Sequence, residues 1–436
     1  MHNNETHKVP TMADGRKDAS EPTGPIEHVI IVGAGLGGLR SAQQLRQIGY
    51  CGRISLVGAE MHLPYDRPPL SKQLLAGEWE PDRVYLTDAE ALTSLGIEVY
   101  LGKPAVALRP GEVELTDGTV LRGGAIVLAT GAAARTLPGQ PEHVFCVRNL
   151  DDSLRLRAAL RDAKSLLVVG AGFIGAEVAS TALGRGMDVT ILEAQPVPLS
   201  RVLGERVGHM CARLIRESGV DLRTGVSITR FVDARDCPVS VELADGSLVK
   251  ADVAVVGIGG KLNLDWIGDI GIDVSGGLLC DSAGRVLGLE NVWALGDIAS
   301  WRDETYGAHQ RQEHWTAATE QAGAVARSIV GAEPPSATTP YVWSDQFGYK
   351  IQVIGRPDLA DSLTTLHGEG LSGGPIRSTI IGYFRTGELI GVAGFSAARR
   401  FSSYRPLLLK RAGLDQVRQF AAASDNAAPE ATIYDI

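Results

Sequence analysis

The sequence predicts an α/β protein in which one series of elements is laid down twice, followed by a smaller α+β unit. Three observations carry this. The stretch "VELTDGTVLRGGAIVLATG" (113–131) aligns without gaps to "VELADGSLVKADVAVVGIG" (241–259). Upstream of each stands a glycine-rich turn after an apolar run, "HVIIVGAGLGG" (28–38) and "SLLVVGAGFIG" (165–175). Beyond both copies, 341–355 and 378–395 read as hairpin-like units. A chain of 436 residues also exceeds the roughly 250–300 residues at which single cores stop growing, so several domains are expected.

Taken in order, residues 1–25 are polar, lack an apolar signal region and read as a disordered leader. The strand at 28–32 runs into the first glycine turn and an Ala-rich helical pattern. "RISLVGAE" (53–60) is the next strand, with an acid just past its end. Residues 113–131 form a strand, an Asp-Gly turn, a second strand and a buried strand ending in glycine. The helical pattern "DDSLRLRAALRDA" (151–163), with Asp151 or Asp152 as its cap, leads into the second copy. That copy repeats the plan: a strand and turn at 165–175, "DVTILEA" (188–194) with an acid at its end, then 241–259. After Gly259 the chain returns to the first unit, because "NVWALGDIA" (291–299) is another strand ending in a Gly-Asp turn. "YRPLLLKRAG" (404–413) closes the last unit, with Pro406 suited to a first helical turn and Gly413 to its end. One short helical pattern, "LDQVRQFAAAS" (414–424), follows. The expected boundaries are a leader at 1–25, a first unit from 26–148 and 260–335, a second from 149–259, a C-terminal α+β unit at 336–413 and a tail at 414–436.

The two turns carry chemistry. Strand, GxGxxG, helix, second strand and acid together form the Rossmann-like dinucleotide fingerprint. The first glycine allows a tight turn, the second lets backbone approach a pyrophosphate, and the third lets helix and strand pack closely. The helix N-terminus adds N–H donors and a positive dipole. Gly33, Gly35 and Gly38 fill these roles in one copy, and Gly170, Gly172 and Gly175 in the other. Two such modules imply two dinucleotides, most commonly FAD and a nicotinamide. Glu193 would accept from a ribose 2′-OH and repel a 2′-phosphate, and "LEAQPVP" holds no arginine to receive one, so NADH is expected over NADPH. Glu177 is out of place in a phosphate cradle, since its charge opposes the pyrophosphate.

Composition excludes other classes. The formal charge of −9 argues against a general nucleic-acid or membrane-surface role, and no apolar run reaches membrane-spanning length. The five cysteines (51, 146, 211, 237, 280) include no CxxC or CxxxxC pair, which argues against a zinc site or redox disulfide and for a reducing, cytoplasmic setting. Cys51 reads as a small, semi-buried residue.

Seven motifs together resemble the FAD-dependent, NADH-using ferredoxin reductases of bacterial oxygenase systems, over about residues 26–412. They are "GAGLGG", "LPYDRPPLSK" (63–72), "LATG" (128–131), "GAGFIGAE" (170–177), "NVWALGDIA", "EHWTAATEQA" (313–322) and "YVWSDQFGYKIQVIG" (341–355). The resemblance implies a glutathione-reductase type of fold: an FAD domain in two segments, an inserted NADH domain and a C-terminal α+β domain. It implies hydride transfer from NADH to FAD, then single electrons to a [2Fe-2S] ferredoxin that feeds a cytochrome P450 or a ring-hydroxylating dioxygenase. By position it assigns Gly33, Gly35, Gly37, Gly38, Arg67, Lys72, Ala105, Arg148, Asp297 and Trp315 to FAD. Gly170, Gly172, Gly175, Glu193 and Gly259 go to NADH. Lys72 would lie beside the isoalloxazine and pair with Glu177, the two forming the catalytic pair. Relatives often read "VGDE" where this chain has "VGAE", so Glu60, or a water, is expected to hold the adenosine-side ribose. "FSAARRF" (395–401) also departs from the Asn-Arg-Pro turn usual there. Arg311 and the acid-free run holding Arg399, Arg400, Arg405, Lys410 and Arg411 are the expected docking surface for an acidic ferredoxin. Two alternatives remain: a redox-regulated interaction flavoprotein like apoptosis-inducing factor, whose family shares the fold, and a flavin NADH oxidase, which needs an active-site cysteine not visible here.

Overall fold

The structure, a computed structural model, describes residues 26–232, 238–303, 307–333, 335, 339–424 and 433–435. The expected leader and Cys237 lie outside the described residues. Five parallel strands form the first sheet, in the order Val292–Ala294, Ala125–Leu128, His28–Val32, Arg53–Val57, Ile97–Tyr100. A parallel sheet must be covered on both faces, which is why residues 29–32 and 125–128 are apolar and buried throughout. On one face, Leu39, Ala42 and Leu45 of helix Leu36–Gln47 meet Ala322, Val325 and Ile329 of helix Trp315–Ile329 over Trp293. On the other, the antiparallel strands Ala105–Arg109, Glu112–Leu115 and Val120–Arg122 contribute Leu108, Val113, Leu115 and Leu121.

The second sheet repeats this plan. Val253–Val256, Ser165–Val169, Asp188–Glu193 and Asp221–Thr224 lie side by side and parallel, in the order of their counterparts in the first sheet. Helix Phe173–Gly184 covers one face and the meander Ile228–Phe231, Val239–Leu243, Leu248–Ala251 the other. The duplication reaches the backbone dihedrals: the turn glycines Gly118 and Gly246 take φ of +82° and +81°. Gly260–Leu262 pairs antiparallel with Ala132–Ala134, so the chain re-enters the first unit beside the point where it left. Helix Leu150–Ala159, which leads into the second copy, is capped by Asn149, not by Asp151 or Asp152. Asn149 accepts from the Asp152 N–H while Asp152 accepts from the Asn149 N–H, a reciprocal box that starts ahead of both expected caps.

The C-terminal unit is an antiparallel six-stranded sheet, ordered Tyr341–Gln346, Tyr349–Gly355, Glu388–Phe395, Ile380–Arg385, Ser362–His367, Ile433–Asp435. Both expected hairpins are present. The expected helix at 404–413 is shorter, Arg405–Leu409, and follows another short helix, Ala398–Ser402; Arg411 at φ +50° breaks the pattern before Gly413. The chain after Gly413 is not a detached tail. Helix Leu414–Ser424 buries Val417 and Ala421 against Phe384, Leu389 and Tyr404, and Ile433–Asp435 adds an edge strand.

Helix Ser200–Glu217, kinked at Gly204, welds the second unit to this sheet. Its stripe Leu203, Val207, Met210 and Leu214 shares a core with Ile351, Val353, Ile381, Tyr383 and Phe395, each such side chain contributing about 1.5–3 kcal/mol on burial. The Tyr383 hydroxyl donates to the Leu203 carbonyl at 2.9 Å, and Arg213 donates to the carbonyls of Gly370 and Gly374 at 2.8 Å. Among the described residues no helix is long and apolar enough to cross a membrane, and no cluster of His, Cys, Asp or Glu could hold a metal ion.

Candidate active site

Both glycine turns are built as cradles. Gly33 and Gly170 have φ of +121° and +101°, and a Cβ on either would strike the carbonyl of Ala129 or Gly257 at 2.2 and 2.4 Å. Gly38 and Gly175 lie against the carbonyls of Gly33 and Gly170, where a Cβ would sit at 1.9 and 2.0 Å. The middle glycines differ: a Cβ on Gly35 would meet nothing within 4 Å, and on Gly172 only the Gly257 carbonyl at 4.0 Å. The outer glycines are therefore required by packing, and the middle ones leave open backbone at a helix N-terminus. This fits a pyrophosphate in each turn. Gly37 has a packing role, since Leu295 Cδ1 lies 2.4 Å from where its Cβ would be. Gly257 is a residue that sequence reading missed. It stands where Ala129 does in the first copy, and it touches the turn more closely than the expected Gly259, whose φ is +101°.

Lys72 and Glu177 meet between the two units. Pro68 and Pro69 set the short turn Pro68–Ser71, and Leu70 anchors it among Tyr65, Leu74, Val84 and Leu150. That leaves Lys72 facing helix Phe173–Gly184, with Nζ 2.8 Å from Glu177 Oε2. The two side chains are 13% and 4% exposed. Ser71 Oγ donates to the same oxygen at 2.5 Å, and Ser344 Oγ, from the C-terminal sheet, donates to Oε1 at 2.7 Å. A buried carboxylate held by an ammonium and two hydroxyls is satisfied rather than stranded.

The remaining assigned residues divide. Arg148 pairs with Asp297 at 2.7 Å and donates to the Ala132 carbonyl at 2.6 Å. Arg67 donates to the Arg148 carbonyl, and to Glu60 at 3.0 Å. Glu60 also accepts from the Tyr65 hydroxyl at 2.5 Å. Its bonds thus run to Tyr65 and Arg67, not to the glycine turn. Glu193, the acid of the second copy and two positions earlier in register, accepts from the Ala171 N–H of its own turn and from the Gln195 N–H, both at 2.7 Å. Ala105, half-buried, opens the strand Ala105–Arg109. Trp315 opens its helix, donates to Asp66 at 2.7 Å and meets Trp343 edge-on at 6.2 Å between ring centroids. Burial raises the Asp66 carboxyl above its usual range, against the Trp315 bond and the charge of Lys72. Burial lowers His314, beside Trp315, below its ordinary value, against the pull of Asp297 and Glu313. Asp66 and His314 lie inside motifs the sequence displays, but nothing in their spacing marks them.

A line of rings leads outward. Trp343 stacks on Tyr341 at 5.8 Å, and Tyr341 reaches Phe401 at 6.3 Å, on the short helix that carries Arg399 and Arg400. Arg399, Arg400, Arg405 and Lys410 are exposed, whereas Arg411 pairs with Glu388 at 2.9 Å, just before the acid-free run. Arg311 donates to the Asp297 carbonyl at 3.2 Å and pairs with Glu313. The described cysteines are all unpaired thiols; Cys51 is exposed, not semi-buried, because its strand-leading loop lies on the surface.

Residues 27–322 match the pyridine nucleotide-disulphide oxidoreductase family, and 341–427 match the reductase C-terminal family. The chain belongs to the pyridine nucleotide-disulphide oxidoreductases. It is 38% identical over 336 residues to the ferredoxin–NAD(+) reductase subunit of a Pseudomonas putida benzene 1,2-dioxygenase system, covering 75% of this chain and 80% of the relative. It is 34% identical to rhodocoxin reductase of Rhodococcus erythropolis, covering 77% and 79%. Among solved structures it is similar to a chain of the covalent putidaredoxin reductase–putidaredoxin complex (TM-score 0.85, 28% identity, 93% and 100% covered). It is also similar to the ferredoxin reductase for the CYP199A2 system of Rhodopseudomonas palustris (TM-score 0.83, 31% identity, 90% and 97% covered). Within its family the chain is therefore of the ferredoxin–NAD(+) reductase type, as its motifs implied.

Proposed function

We propose that this protein is an FAD-containing, NADH-dependent ferredoxin reductase that passes electrons to a [2Fe-2S] ferredoxin serving a P450 or a ring-hydroxylating oxygenase. The observation that carries it is the buried Lys72–Glu177 pair, set where the second glycine-turn helix meets the "PPLSK" segment of the first unit. The sequence has no CxxxxC pair to offer here, and this segment presents a lysine. Bound FAD would supply the chemistry, a site that accepts hydride and gives up electrons singly.

The residues supply position and charge. We assign 26–148 and 260–335 to FAD, 149–259 to NADH and the C-terminal sheet to the acceptor side. Gly35 and Gly172 admit the two pyrophosphates, and Asp297 with Arg148 lines the ribityl end. Lys72 directs a donor at the flavin ring, and Glu177 holds that ammonium in place. Glu193 takes the nicotinamide-side dinucleotide by its adenosine ribose, exchanging an N–H donor for a 2′-OH. Trp315 and Trp343 wall the ring from water. Arg311, Arg399, Arg400, Arg405 and Lys410 form the docking face, and the acidic balance elsewhere confines an acidic partner to it. We place the chain in the cytoplasm, the setting its cysteine spacing favours.

Reversing charge on that face tests the reading. Arg399→Glu with Arg405→Glu should raise the KM for ferredoxin about tenfold at low salt and leave NADH–ferricyanide turnover unchanged. An unchanged ferredoxin KM would move the docking face elsewhere.

A further inference from the structure

Glu177 Oε2 is held twice, by Lys72 and Ser71, both from the first unit. Among the described residues, Oε1 accepts one hydrogen bond, from Ser344. Ser344 is wholly buried and comes from strand Tyr341–Gln346 of the C-terminal sheet, so a third unit completes the pair. Its hydroxyl is itself oriented. Gln346, 3% exposed and two residues along the same face, donates Nε2–H to Ser344 Oγ at 3.1 Å, leaving the hydroxyl hydrogen for Glu177. The Phe347 N–H donates to Ser180 Oγ at 2.7 Å, which locks the end of this strand against the Glu177 helix. The strand's opposite face carries Tyr341 and Trp343 to Trp315. One strand therefore touches both the ion pair and the aromatic wall.

We propose that Ser344 is a positioning residue for the hydride-transfer pair, acting through Glu177 on Lys72; this rests on the reading of Lys72 and Glu177 given above. Without its hydroxyl, Oε1 is a buried acceptor with no donor, and the carboxylate is free to rotate away from the geometry that fixes Nζ. The cost falls on the transition state more than on dinucleotide binding, because Ser344 bonds neither turn.

The test is stopped-flow reduction of FAD-loaded protein by NADH, together with the flavin midpoint potential. Ser344→Ala should lower the limiting reduction rate about tenfold, equal to about 1.4 kcal/mol of barrier. The NADH dissociation constant should stay within about twofold, and the potential should become more negative as the cation near the ring loosens. Gln346→Leu should move rate and potential the same way by less, and it decides the matter if Ser344→Ala fails to retain FAD. Wild-type rate and potential in these variants, with Lys72→Met slow, would overturn the role of Ser344 alone. Wild-type behaviour in Lys72→Met as well would overturn the reading of the pair, and this inference with it.

Discussion

Lys72 and Glu177, 105 residues apart in the chain, close to 2.8 Å at the seam between the two dinucleotide units. The pair resolves the oddity of a glutamate in a phosphate-binding turn. The first turn of helix Phe173–Gly184 carries no acid, and Glu177 sits beyond it, facing the first unit rather than the pyrophosphate. Replacing Lys72 by Ala should slow hydride transfer at least about tenfold while FAD stays bound, since the first glycine turn and the other residues proposed for FAD are left in place. Rapid-mixing reduction by NADH, with FAD content measured on the same samples, checks this. An unchanged reductive half-reaction would return Lys72 to a structural role.

Nicotinamide choice should reside in Glu193. Its carboxylate bridges the Ala171 and Gln195 N–H groups at the end of the second strand of its unit. Glu193→Ala combined with Gln195→Arg removes the repulsion and adds a phosphate partner. The ratio of kcat/KM for NADPH over NADH should rise about tenfold or more. A ratio that does not move would mean that the ribose is read elsewhere.

Thiol reactivity should follow burial. Burial pushes the Cys211 thiol up to about 12, and raises Cys280 further still, so neither forms thiolate near neutral pH in the folded protein. Cys51 is exposed. Alkylation of native protein at pH 8, mapped by peptide mass spectrometry, should modify Cys51 and spare Cys211 and Cys280 until denaturant is added. Modification of Cys211 at the Cys51 rate would contradict the buried core of helix Ser200–Glu217.

Two histidines, His28 and His314, set a pH dependence of stability. Burial lowers His28 below its ordinary 6.5, opposed by its bond to the Arg122 carbonyl, and His314 is lowered too. For a base whose folded value is depressed, the unfolded chain binds more protons in the interval between the two values. The stabilisation is present above about pH 6.5 and is lost as pH falls through the folded values. The melting temperature should therefore drop between pH 7.5 and 5.5, and less so in His28→Asn. An equal slope in that variant would remove His28 from the account.

Much of this was legible in the chain because it rests on local patterns. The ungapped repeat of 113–131 in 241–259 foretold matching strand orders, down to the dihedrals of Gly118 and Gly246. Both glycine fingerprints, and the pairing of Lys72 with Glu177, followed from motifs. What was not legible depends on long-range register. Ser344 reaches Glu177 only because a third unit lays its strand on the second unit's helix, and spacing of 167 residues carries no sign of that. Glu60 turned to Arg67 and Tyr65 because the loop after its strand folds back, which a residue-by-residue alignment to "VGDE" does not see. The helix after Gly413 reads as polar tail because its apolar face is narrow, although Val417 and Ala421 fill the C-terminal core.

The central claim is that electrons leave singly to an iron–sulfur protein. The most direct measurement is NADH-driven cytochrome c reduction by the FAD-loaded protein, with and without an added [2Fe-2S] ferredoxin, at several salt concentrations. The account predicts turnover that depends on ferredoxin, saturates with it and weakens as salt rises. Turnover indifferent to ferredoxin, with NADH instead consumed at catalytic rates by oxygen or peroxide, would contradict it.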